Sequence, residues 1–284
     1  MEFELFRMFL AVAGTAAAAY YDIFNKKNVP DTLLYGFLGI ALAVNIFDPS
    51  AFLQNLPIAA VMVASMYLLY RIGQLGGADV FVLAAIYAAI PTISGPLLGN
   101  GSQLDIFGQF QLPSIVIITS IAALLFAIWI VLRYAPSALK KTFKGEVKFS
   151  AMQLAQAFIL LLSFGAFIYM FSQLPSFSVN LVVLMEILFI SAIFFTLYKD
   201  EIMGSMVRWK KKAEAEDVLA IEMMDNKFLS RHSIGRLVDK GQLKRMNRLK
   251  RKWPVLDLPM FLPYVLAALV VYLLFGSQFM YSML

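Results

Sequence analysis

The stretch Gln74-Leu75-Gly76-Gly77-Ala78-Asp79-Val80-Phe81-Val82-Leu83 (QLGGADVFVL) decides how the chain is threaded. A carboxylate and two glycines stand at the mouth of an apolar run that continues to about residue 93 and meets Pro91 near its end. With that run counted as a membrane helix, eight apolar segments reach or approach bilayer length, at about 4–21, 31–47, 52–70, 79–93, 113–132, 152–172, 179–198 and 258–280. Without it there are seven, and the topology changes.

Charge arbitrates. The loop between the first two segments holds Lys26 and Lys27, the loop before Asp79 holds Arg71, and the fifth loop holds Arg133, Lys140, Lys141, Lys144 and Lys148. Fifteen more basic residues lie between Lys199 and Lys252, and the alternate loops hold none. Under the eight-segment count, 23 of the 24 Lys and Arg residues share one face, with Arg7 the exception. Cytoplasmic loops carry the positive excess, so that face is cytoplasmic and both termini are expected outside. Dropping the run after Asp79 would scatter the charges.

Composition agrees. The chain of 284 residues is 61% hydrophobic and 15% charged, where soluble domains run near one quarter charged. The expectation is an all-α polytopic membrane protein with about eight transmembrane helices: a membrane domain over 1–198, a small basic helical cytoplasmic insert over 199–257, and a last transmembrane helix over 258–284. The stretch AGTAAAAYYD holds an A-x-A pattern, but Glu2, Glu4 and the orientation argue against a signal peptide. In the insert, Val218, Ile221, Met224 and Phe228 recur at helical spacing, with Gly235 and Gly241 as turns. Its basic residues fit topogenic charge and contact with anionic lipid head groups. No nucleic-acid fold signature accompanies them, so no nucleic-acid partner is expected.

Cysteine is absent and His232 is the only histidine. That removes thiol nucleophiles, Ser-His pairs and Cys- or multi-His-ligated metals. No metal and no cofactor is expected, and hydrolytic chemistry must rest on carboxylates. Two stand out. Asp79 has a bland explanation, because Asp is a favoured N-cap and an anion suits a helix N-terminus. Asp22 lies at the end of the first helix, where the macrodipole disfavours an anion, although Lys26 and Lys27 can offset it. Both carboxylates fall on the cytoplasmic face at similar depth. Two adjoining, partly desolvated carboxyls share a proton: the ionised one activates a water, and the protonated one donates to a scissile carbonyl.

At these residues the chain resembles the type IV prepilin peptidases, and more narrowly the archaeal preflagellin (prearchaellin) peptidases. These are grouped with presenilins and signal peptide peptidases as GxGD-type aspartyl proteases. One motif is Asp22, a basic run, then Val29-Pro30-Asp31; the other is Gly76-Gly77-Ala78-Asp79. The likeness covers roughly residues 15–90. It implies that Asp22 and Asp79 are catalytic, with Gly76, Gly77, Ala78 and Pro30 supporting them. It also implies a membrane preprotein substrate, cut on the cytoplasmic side between a short basic leader and an apolar helix, in an archaeal cell membrane. The chain departs from the pattern at Ala78, where glycine is usual and a positive φ would strain alanine, and at Phe81, where many relatives carry Lys. The Asp22-to-Pro30 spacing is one residue longer than usual, and eight helices exceed the count usual in the archaeal enzymes. Asp31, Asp200, Glu201 and Asp257 are candidates for docking a basic leader, with capping or pairing to a neighbouring Lys as the alternative.

Two other readings stand beside this one. A presenilin-like protease would cut within an apolar helix. A small-solute transporter or membrane scaffold would favour inverted repeats and carboxylates at the midplane, and no repeat is visible. Glu186, inside the seventh segment, divides between a buried structural group and a helix contact. Pro259 and Pro263 fit an ordinary helix start. Gly14, Thr15 and Ala16 to Ala19 fit close helix packing.

Overall fold

The computed structural model describes residues 2–25, 28–47, 49–73, 75–91, 113–147, 149–172, 179–214, 217–249 and 251–275. Lys26, Lys27, Lys148 and Lys250, four of the loop charges counted above, fall outside them. The protein is mostly helical, with ten α-helices among the described residues. Four are long and apolar enough to cross a membrane, at Phe3–Phe24, Phe52–Arg71, Ser114–Phe143 and Ala151–Met170.

The chain forms two compact units. The larger comprises Met1–Ala64, Ala78–Tyr198 and Met260–Leu284; the smaller comprises Ser65–Gly77 and Lys199–Pro259. Helix α1 (Glu2–Phe24) packs against α2 (Asp31–Val44), which starts behind Pro30 in an extended conformation. Residues Leu34, Phe37, Ala41 and Val44 make the buried stripe of α2. Gly14 permits the close approach of α1, since a Cβ there would stand 2.6 Å from the Phe37 ring. After α3 (Ser50–Arg71), α4 (Gly77–Ala89) is apolar on every side, and none of its residues is exposed. It is a central helix. At its far end Asn45 Nδ2 donates to the Ala88 carbonyl at 2.6 Å, and Tyr87 Oη donates to the Phe52 carbonyl at 2.7 Å. Ser114, opening α5 (Ser114–Phe143), donates its hydroxyl to the Ile90 carbonyl. Asn45 and Ser114 thus satisfy backbone oxygens at the end of α4, where the helix leaves carbonyls without intrahelical partners, and Tyr87 ties the same end to α3 through its own hydroxyl.

Helix α6 (Ala151–Ser172) stacks Phe164 on Phe189 of α7 (Val179–Met206), and the last helix of the chain, at Leu262–Phe275, packs against both α1 and α5. Boundaries differ from the apolar runs in informative ways. The fifth helix runs to Phe143 rather than 132, through Pro136, because Ala, Leu and Lys propagate helix beyond the apolar segment. The fourth stops before Pro91, which disfavours helix at the residue preceding it. The last starts at Leu262, four residues later than the apolar run suggests, and its expected end at 276–280 lies outside the described residues.

The expectation of a wholly helical insert is corrected. The smaller unit contains a three-stranded antiparallel sheet, order β1-β3-β2, of Val207–Lys210, Trp253–Leu256 and Val218–Leu219. Two short helices, α8 (Asn226–His232) and α9 (Lys240–Arg248), complete it, so that the last helix is α10. The helical spacing of Val218, Ile221, Met224 and Phe228 misled for a physical reason. Val218 is in β2, Ile221 opens a 3-10 turn, Met224 follows it, and only Phe228 is on an α-helix. One core built around Leu219, Met224, Val238, Met246 and Trp253 gathers apolar residues from different elements. Gly241 lies in the first turn of α9 and not in a connecting turn, whereas Ser233 supplies the left-handed residue, φ 49°, that ends α8.

The Gly14 contact gives a direct test. Gly14→Ala is expected to lower the thermal midpoint of the detergent-purified protein, at a cost of about 1–3 kcal/mol, because the methyl must displace an aromatic ring. An unchanged midpoint would mean α1 and α2 are not in such close contact.

Candidate active site

Both singled-out aspartates lie in the larger unit and both are buried, Asp22 at 7% exposure and Asp79 at 8%. Asp31 and Asp200, by contrast, are exposed. Burying an ionisable group is costly, so two such burials need a cause.

Helix α2 links their positions. Gly14 faces Phe37 and Phe3 meets Phe47 edge-to-face at 6.1 Å, so α1 runs antiparallel to α2. Carrying that register to the end of α1 sets Asp22 level with Val29 and Pro30. Tyr35 meets Phe81 at 5.3 Å, and Asn45 bonds to Ala88, so α4 runs parallel to α2. That register sets Asp79 level with Leu33. The two carboxylates therefore stand at the same end of the unit, separated along its axis by about four residues of helix, on the order of 6 Å.

Their local settings differ. Asp79 is the third residue of α4, inside its first turn, and the helix begins two residues before it. It is therefore not the N-cap that its sequence position suggested, although the helix N-terminus still favours its charge. Asp22 sits in the last turn of α1, where the dipole gives an anion no support. Just beyond it, Asn25 Nδ2 donates to the Asn28 carbonyl at 2.7 Å, and the Asn28 N–H donates to the Asn25 carbonyl at 3.0 Å. This tied turn leads through buried Val29 to Pro30, which stands at the N-cap of α2. Asn25 and Asn28 passed unnoticed in the sequence; their signal is a pair of turn-forming side chains flanking the basic dipeptide.

The glycine motif is helical where it meets Asp79. Gly77 and Ala78 are the first two residues of α4, and neither has a positive φ. Alanine is the best helix former, so Ala78 is unstrained here. Gly77 has a packing reason, because a Cβ would come within 3.2 Å of the Tyr70 ring. The residue that does adopt a left-handed conformation is Gly73, φ +70°, three positions before Gly76 and not part of the expected motif.

The leader-docking candidates divide between the units. Asp31 lies in the first turn of α2 in the larger unit. Asp200, Glu201 and Asp257 lie in the smaller, where Asp257 pairs with Arg208 at 2.6 Å. For Asp257 the pairing alternative is what the structure has. Glu186 is exposed on α7, so it is not the buried structural group considered for it. Pro263 is in the first turn of α10, an ordinary place for proline.

Residues 9–128, which include both Asp22 and Asp79, match the sequence profile of Peptidase A24, the type IV leader peptidase family. The chain is similar to a protein named prepilin peptidase EppA from Methanothermobacter thermautotrophicus, 29% identical over 135 residues, which is 44% of this chain and 34% of that protein. The chain thus spans about a third of the length of the curated relative it matches. No solved structure matches it.

The helical φ at position 78 yields a prediction. Ala78→Gly should destabilise the protein by about 0.5–1 kcal/mol, read as a lower thermal midpoint. A higher midpoint would mean that alanine is strained there after all.

Proposed function

We propose that the chain is a membrane aspartyl endopeptidase that removes short basic leaders from prepilin- or prearchaellin-like preproteins, a reading supported by the match of residues 9–128 to the type IV leader peptidase family. The observation that carries this reading is the burial of Asp22 and Asp79 at one end of the larger unit, on helices α1 and α4 that both fall within the matched segment.

The chemistry follows from the two settings. A water lies between the carboxyls. Asp79, in the favourable field of the α4 N-terminus, suits the base role and takes a proton from the water as its oxygen attacks the scissile carbonyl. Asp22, without such support, suits the acid role and donates to the carbonyl oxygen. Collapse of the tetrahedral intermediate breaks the C–N bond: the proton held by Asp79 passes to the leaving amine, and as the C=O bond re-forms one hydroxyl proton of the intermediate returns to Asp22. One water is consumed and the pair returns to its starting state.

Eight apolar helices, α1 to α7 and α10, would cross or enter the bilayer with both termini outside and the basic loops inside. The site would then face the cytoplasm, where a leader ends and an apolar segment begins. Arg208, exposed Trp209, Lys211 and Lys212 directly follow α7, and suit contact with anionic head groups at that face. Asp31, Asp200, Glu201 and Asp257 are the acidic groups proposed to meet a basic leader.

The test is cleavage of a short-leader prepilin or prearchaellin in membranes containing the protein, with the cut located by mass spectrometry. Cleavage is expected ahead of the apolar segment, and Asp22→Asn and Asp79→Asn should each lower its rate by roughly three orders of magnitude or more. Asn variants that cleave as well as wild type would sink the two-aspartate mechanism. Cuts within the apolar segment would favour the presenilin-like alternative.

A further inference from the structure

The loop that delivers the chain into α4 belongs to the same compact unit as the insert. Ser65–Gly77 and Lys199–Pro259 form that unit together, although well over a hundred residues separate them in sequence. The contact is specific. Gly73, buried and at φ +70°, lies against β2, and a Cβ on it would stand 3.0 Å from Val218 Cγ1 and 3.5 Å from Arg236 Cγ. At the other end of the loop the Tyr70 ring covers Gly77.

Val218 is a firm support. It pairs with Leu256 on one side and bridges to Leu237 on the other. The neighbouring Leu219 N–H donates to the Arg236 carbonyl at 2.7 Å, and the Val238 N–H donates to the Asp217 carbonyl at 3.0 Å. Arg236 is held by Glu222 at 2.9 Å, and Asp217 by Lys210 at 2.8 Å. Successive strand residues point to opposite faces. Leu219 enters the core of the insert, whereas Val218 is buried but is not part of that core. Its side chain meets the loop.

We propose that Val218 and Gly73 are positioning residues, through which the insert holds Gly73 in the chain that enters α4 at Gly77, two residues before Asp79. The inference rests on the peptidase reading for its effect on catalysis, but the contact is testable without it. Only glycine meets both demands at position 73, the left-handed φ and the close approach. A small displacement of a reacting group is enough to slow an enzyme by orders of magnitude, so a support distant from the chemistry can control its rate.

The absence of cysteine makes the experiment clean. Leu75→Cys places a single thiol in the loop, and its rate of labelling by a water-soluble maleimide reports loop opening in the full-length protein. Val218→Ala is expected to raise that rate several-fold. With Leu75 intact, it should lower kcat for leader cleavage by about tenfold while KM stays within about twofold. Val218→Ile, which keeps both Cγ atoms, should behave as wild type. Gly73→Ala should also lower kcat, and adding Val218→Ala should recover part of the loss by vacating the space its methyl needs. Leu219→Ala controls for damage to the insert: it should lower the thermal midpoint more than Val218→Ala but slow cleavage less. The proposal falls if Val218→Ala changes neither labelling nor kcat, or if Leu219→Ala slows cleavage as much. If wild type cleaves no leader while Val218→Ala still speeds labelling, the peptidase reading fails and the loop support stands. If wild type cleaves and both loop readouts are unmoved, the reverse holds.

Discussion

A carboxylate withdrawn from water must be given a setting that justifies the cost, and this protein withdraws two at one end of one helical unit. Much of the surrounding structure follows from that constraint. Asp22 is carried at the end of a long helix whose approach to α2 depends on a glycine against an aromatic ring. Asp79 is carried in the first turn of a helix with no exposed residue. Between them α2 runs antiparallel to one and parallel to the other, so a single helix sets both heights.

The two ends of α4 are secured by different means. At the far end, side chains from α2 and α5 bond to its last carbonyls, and Tyr87 of α4 reaches a carbonyl of α3. These bonds lie where water is scarce and an unpaired carbonyl is expensive. At the end that carries Asp79, van der Waals contacts of Tyr70 with Gly77 and of Val218 with Gly73 shape the entering chain. Hydrogen bonds fix a helix end at a given depth, whereas packing against a glycine sets a direction and yields more readily.

The helical architecture was legible because bilayer solvation writes itself into composition: apolar runs mark the helices, and the positions of Lys and Arg group the loops. The aspartates were legible because carboxylates bordering apolar runs are few and because two short motifs place them in order. What was not legible depends on contacts between residues remote in sequence. The strands of Val207–Lys210 and Trp253–Leu256 are four residues each and pair across more than forty positions, so neither announces itself locally. A period of three and four over Val218 to Phe228 looked helical because Ile221, Met224 and Phe228 reach one core from three kinds of backbone, while Val218 lies outside that core. Gly73 looked like an ordinary loop glycine; its role comes from a valine well over a hundred residues away.

The insert closes on itself, and this explains how a sheet-containing unit can interrupt a helical one. The Asp257 N–H donates to the Met206 carbonyl at 2.8 Å, and Arg208 pairs with the Asp257 carboxylate. The main segment of the small unit therefore begins and ends at one place, the arrangement under which an inserted unit can keep its own core without straining its host. Had that been all, the unit would be an appendage, and its loss or replacement would leave the rest of the chain unaffected. Its second segment argues otherwise. Ser65–Gly77 contributes the last turns of α3 and the glycine-bearing loop to the same compact body. An appendage does not need to hold the chain immediately ahead of a buried aspartate. The residue that meets the loop, Val218, lies on the strand beside the residue that fills the insert's own core, so stability of the insert and placement of the loop are joined in one dipeptide.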